Sequence, residues 1–92
     1  MAPIRYTTSM AEAQQRLLTV IQATPRTTII EENRSYLAVV FRSALFRFPD
    51  DAEFYFDERN KLIHFRSASR LGREDLGVNR ARMVALTQAF LE

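Results

Sequence analysis

Arginine dominates the chemistry available to this chain. Twelve of its thirteen basic residues are arginine, with Lys61 the exception. Seven positive side chains fall between Arg59 and Arg82, opposed within that stretch only by Glu74 and Asp75. A guanidinium is planar and pairs in bidentate fashion with carboxylate or phosphate. Arg66, Ser67, Ser69, Arg70, Arg73 and Arg80 are therefore candidates for binding an anionic small molecule or an acidic protein surface. A second set, Asp50, Asp51, Asp75, Asn79 and Arg82, is a candidate polar network that pins the connection after Ser69 to the helix that follows. Both readings stay open on sequence.

Other chemistries find less support. The chain has no cysteine, which excludes disulfides, thiolate metal sites and cysteine nucleophiles. Its one histidine, His64, disfavours a zinc or copper centre. His64 and Ser67 fall on opposite faces of a strand, and no G-x-S-x-G elbow is present, so a hydrolytic triad is not indicated. Asp50, Asp51, Glu53 and Asp57 lack the spacing and central glycine of a calcium loop. No glycine loop of the phosphate-cradling kind occurs, and no cofactor is expected. Arginines interleaved with Tyr36, Phe41, Tyr55 and Phe65 could stack a single strand of nucleic acid. A net charge of +2 is a small footprint for that role, and core packing explains the rings better.

The elements that must carry these residues follow from the hydrophobic pattern. The 92 residues allow one domain, 1–92, with 47% apolar and 26% charged residues. No apolar run approaches the roughly 18 residues of a membrane span, and a cytoplasmic location is expected. Residues 1–8 read as a frayed lead-in. Ser9 and Glu12 match a capping box, after which Met10, Ala13, Leu17, Val20 and Ile21 recur at helical spacing. Pro25 should end that helix near Ala23.

The period then changes to two. Thr27 to Glu31 and Tyr36 to Arg42 read as strands, and Phe46 and Phe48 flank Arg47 in a short extended piece. Ala52, Phe54 and Phe56 share one face of a further strand, and Ile63, Phe65 and Ser67 share one face of the next. Two hairpin registers satisfy this alternation. One sets Glu53 opposite His64 and Asp51 opposite Arg66; a shift of two residues sets Glu53 opposite Arg66. From Val78 to Leu91 a second helix is expected, capped by Asp75, with Val78, Ala81, Ala85, Leu86, Ala89 and Phe90 on its apolar face. Asn79 and Arg82 fall within that face and would need buried partners. The expected fold is α+β: an antiparallel four-stranded meander with N- and C-terminal helices packed on one face, in the order α-β-β-β-β-α.

Two stretches carry a family resemblance. Residues 48–54 read FPDDAEF, and residues 66–82 read RSASRLGREDLGVNRAR. Together they resemble the family catalogued as domain of unknown function 1499, over most of the chain. Many members carry a longer, cysteine-containing lead, whose role is not carried over. The resemblance implies a shared scaffold and a shared special segment, and it names no reaction. With the residues above, it points to a non-enzymatic binding module that recognises an anionic group. The competing classes are an enzyme acting on a small anionic substrate at the same edge, and a structural subunit of a larger assembly.

Overall fold

The computed structural model describes residues 2–42, 48–70 and 78–92. The elements run β1 (Ile4–Arg5), α1 (Met10–Gln22), β2 (Thr27–Asn33), β3 (Tyr36–Arg42), β4 (Pro49–Asp57), β5 (Leu62–Ser69) and α2 (Val78–Leu91). The expected extended piece about Phe46 and Arg47, and the Gly72, Arg73, Asp75 and Gly77 positions, lie outside the described residues.

The protein is α+β with an antiparallel sheet and two helices, but the sheet has five strands in the order β1-β5-β4-β3-β2. The fifth strand is the correction to a four-stranded meander. Ile4 and Arg5 pair with Ile63 and Leu62, so the lead-in is not frayed there. Ile4 and Tyr6 are buried. The Tyr6 backbone N–H donates to the Lys61 carbonyl at 3.0 Å, and its hydroxyl donates to the Asp57 carbonyl at 3.2 Å. Two residues of strand are too few to show a period, and burial of two apolar side chains is what fixes them.

Ser9 caps α1: its hydroxyl accepts the Glu12 backbone N–H at 3.1 Å, satisfying a donor the helix cannot. Met10, Ala13, Leu17, Leu18 and Ile21 are the buried residues of this helix. On the sheet, Leu37, Val39 and Phe41 of β3, Ala52, Phe54 and Phe56 of β4, and Ile63 of β5 belong to the same core as the α1 residues and as Met83, Leu86 and Phe90 of α2. The opposite face of β4 carries Asp51, Glu53, Tyr55 and Asp57. Strand pairing sets Glu53 opposite Arg66 and Tyr55 opposite His64, the second of the two registers.

The buried stripe of α2 differs from the alanine-rich face expected. Asn79, Met83, Leu86 and Phe90 are buried, while Ala81, Ala85 and Ala89 are exposed. The larger side chains gain more from leaving water, so they take the core and rotate the alanines outward. Ala85 and Ala89 instead line a groove against Thr19, Val20, Ala23 and Thr24 of the α1 end.

The two edges of the sheet are built differently. In β2 the pairing slips between Ile29 and Glu31, a bulge that leaves Ile30 unpaired and 62% exposed. Glu31, Glu32 and Asn33 follow it, all exposed. At the other edge, β1 covers β5 only at Leu62 and Ile63.

Candidate functional site

The polar residues singled out by the sequence divide between the two faces of the sheet. Alternation along β4 sends Asp50 inward with Ala52 and Phe54, and Asp51 outward with Glu53. Asp50 and Asn79 are the buried polar residues among those described. Arg82 Nη1 donates to Asp50 Oδ2 at 3.2 Å and to Asn79 Oδ1 at 2.8 Å. The Ser67 hydroxyl also donates to Asn79 Oδ1. The Arg82 guanidinium lies 4.7 Å from the centre of the Phe41 ring, directly beside Asp50 in the register, since Phe41 pairs with Asp50. Asn79 and Arg82 reach the same place because residues three apart on a helix are neighbours. An ion pair buried this deeply is costly to break from one side only.

On the outer face the arginines meet acids across strands. Arg66 Nη2 lies 3.1 Å from Glu53 Oε1. Arg70 grips Asp51 with two bonds, Nε to Oδ2 at 3.1 Å and Nη2 to Oδ1 at 2.6 Å. That bond holds the Asp51 carboxyl below its ordinary value of 3.8 and raises Arg70. Glu53 is held below 4.5 first by the Tyr55 hydroxyl, which donates to it, and then by Arg66. His64 Nε2 stands 3.8 Å from Asp57 Oδ2 on this face, away from Ser67. Above Ala38 and Ala68 these pairs border a shallow trough of about 420 Å³.

The rings considered for stacking nucleic acid do not share a face. Tyr36 and Tyr55 pair on the outside with centroids 5.0 Å apart, whereas Phe41 and Phe65 belong to the core side.

Of the candidate ligand residues, Arg66, Ser67 and Arg80 come together. With Phe65, Asn79 and Met83 they line an open depression of about 330 Å³ between the end of β5 and the first turn of α2. Arg80 is exposed and has no acidic partner among the described residues. Arg70 is turned to the outer face, Ser69 is half-buried on the inner one, and Arg73 and Asp75 lie outside the described residues. Met83 is absent from the sequence-based candidates, and Phe65 enters them only as a ring for stacking nucleic acid. Met83 lies four residues after Asn79 and so shares its side of the helix.

The backbone of β5 adds to this depression. Successive residues of an antiparallel strand turn their N–H and C=O groups to alternate sides. Arg70 N–H donates to the Pro49 carbonyl at 3.2 Å and Tyr6 N–H to the Lys61 carbonyl, so even-numbered residues serve β4 and odd-numbered ones face the β1 edge. At Phe65 and Ser67 that edge is met by no strand among the described residues.

Among the described residues no helix is long and apolar enough to cross a membrane. No curated protein and no solved structure matches the chain. A family model does match, over residues 1–90, and it takes in the paired acids of β4, the serine–arginine end of β5 and the whole polar face of α2. The chain belongs to that family, the proteins of unknown function designated DUF1499.

Proposed function

We propose that this chain is a single, non-enzymatic binding domain of the cytoplasm that takes an anionic group at the end of β5, beside the first turn of α2. One observation carries the reading. Arg66, Arg70 and Arg82 each face an acid of the same chain, while Arg80 faces none among the described residues. Arg80 opens instead onto a depression whose described lining residues include a second arginine, Arg66, and a serine, Ser67, and no carboxylate. Two guanidinium groups around a space with no acid among its described lining residues suit phosphate or carboxylate. Asp50, Asn79 and Arg82 act in this reading as the support that holds the floor of the depression, and Arg70 with Asp51 as a brace on the far face.

The test is a titration of the isotope-labelled protein with inorganic phosphate and with citrate. Saturable, salt-sensitive shifts centred on Arg66, Ser67 and Arg80, lost in Arg80→Glu, are expected. Shifts spread evenly over all arginines, or none at all, would remove the reading.

A further inference from the structure

We infer that the anionic group arrives on an extended acidic segment of a partner protein, which adds as a sixth strand to the edge of β5 that no described strand covers. This rests on the binding reading above and names its partner.

β5 is much longer than the strand that pairs with its outer edge. β5 runs from Leu62 to Ser69, yet β1 engages it only at Leu62 and Ile63. Phe65 and Ser67 turn their backbone donors and acceptors toward the side that no described strand meets. Such an edge is a template for another strand, and proteins that do not use one usually blunt it with a bulge or charges. The opposite edge of this sheet has both, the bulge at Ile30 and the acids Glu31 and Glu32. β5 pairs with β4 without a bulge, and the exposed charge it carries at Arg66 is positive, which deters a basic strand and admits an acidic one.

Main-chain bonds provide affinity in strand addition, and pockets for alternate side chains provide specificity. The depression supplies those pockets here. On the helix side an incoming strand meets Phe65 and Met83, which are apolar, with Arg80 at the rim. On the outer side it meets Arg66, whose side chain is 76% exposed despite its contact with Glu53. An exposed pair of that kind contributes little, so an arriving carboxylate can share the guanidinium. The matching sequence alternates apolar and acidic residues, and Arg66 and Arg80, with no acid among the described lining residues, are the complementarity that selects it.

A synthetic peptide alternating valine and glutamate tests this on the intact chain, alongside copies N-methylated at the odd or at the even positions. Addition as a strand uses backbone N–H groups of one parity only. Methylation of that parity should weaken binding roughly three- to tenfold per bond removed, and methylation of the other should leave it unchanged. Amide exchange at Phe65 and Ser67 should slow in the complex. If phosphate and citrate bind at Arg80 but the peptide binds equally well with either methylation, strand addition is wrong while the anion site stands. If neither small anions nor peptide bind, both fall. A chain that is already dimeric, with the Phe65 and Ser67 amides protected before any peptide is added, would assign the edge to a second copy and overturn the inference.

Discussion

Arg82 Nη1 stands 3.2 Å from Asp50 Oδ2, and the side chains are only 13% and 7% exposed. The two residues are far apart in sequence, and their meeting joins the first turns of α2 to the start of β4. The same guanidinium nitrogen reaches Asn79, which in turn receives Ser67 of β5. Three elements are therefore tied at one point, next to the depression proposed to bind.

Breaking that pair from one side should be expensive, and breaking it from both should not. Arg82→Met or Asp50→Leu alone is expected to cost about 3–5 kcal/mol, because the remaining charge is left buried. The double substitution should return stability to within about 1 kcal/mol of the parent, as apolar groups replace both charges. Urea unfolding of the four proteins measures this. Singles that each cost less than about 1 kcal/mol would show that the pair does not hold the elements together.

Asn79 and Ser67 should differ in a fixed order. Ser67→Ala removes one donor and leaves Asn79 Oδ1 still occupied by Arg82, so a loss of about 0.5–1.5 kcal/mol is expected. Asn79→Ala strips the acceptor from both partners, and about 1–3 kcal/mol should be lost. Thermal unfolding in which Ser67→Ala is the more damaging would contradict the arrangement described.

Acid should weaken the outer face. Asp51, Glu53 and Asp57 all have carboxyls held below their ordinary values, by Arg70, by Tyr55 with Arg66, and by Asn60 respectively. A depressed carboxyl contributes stability that is fully present above its unfolded value, near 3.8 for aspartate and 4.5 for glutamate. That contribution is lost as pH falls from there through the lower folded value. Stability should therefore be flat in these groups above about pH 5 and decline below it, with the decline shallower in Asp51→Asn. Parallel acid limbs for the two proteins would argue against the Asp51–Arg70 contribution. High salt should reduce it as well, since both side chains are about half exposed.

The cap of α1 gives a local check. Ser9→Ala should cost about 1 kcal/mol, and Ser9→Asp should cost much less, because aspartate can accept the same Glu12 N–H. Equal losses from the two would mean that the hydroxyl is not the cap.

Much of this framework is legible from residue types alone. Ser9 and Pro25 mark α1, alternation assigns the faces of β4 and β5, and the second helix spans Val78–Leu91. Asn79 and Arg82 stand out because they interrupt an apolar stripe. The hairpin register does not, since a shift of two residues keeps every side chain on its face and only cross-strand packing decides. The choice of Asp50 over Asp51 as the inward acid is readable by parity with Ala52, once β4 is known to begin at Pro49. Met83 in place of the alanines depends on which neighbours α2 meets, which is tertiary information. β1 is set wholly by its partner. The clustering of Arg66, Ser67 and Arg80 needs β5 and α2 to be brought together in space, and no spacing rule supplies that.

The bulge at Ile30 has a consequence for how large any assembly of this chain can become. A sheet with two receptive margins can recruit copies from both ends and lengthen without limit. Here a bulge and the acids Glu31 and Glu32 blunt the β2 margin, so a chain that took a strand beside Phe65 would have no equally receptive margin among the described strands. Growth of that kind would stop after a single step, and a surface proposed to capture strands would be kept from seeding fibres.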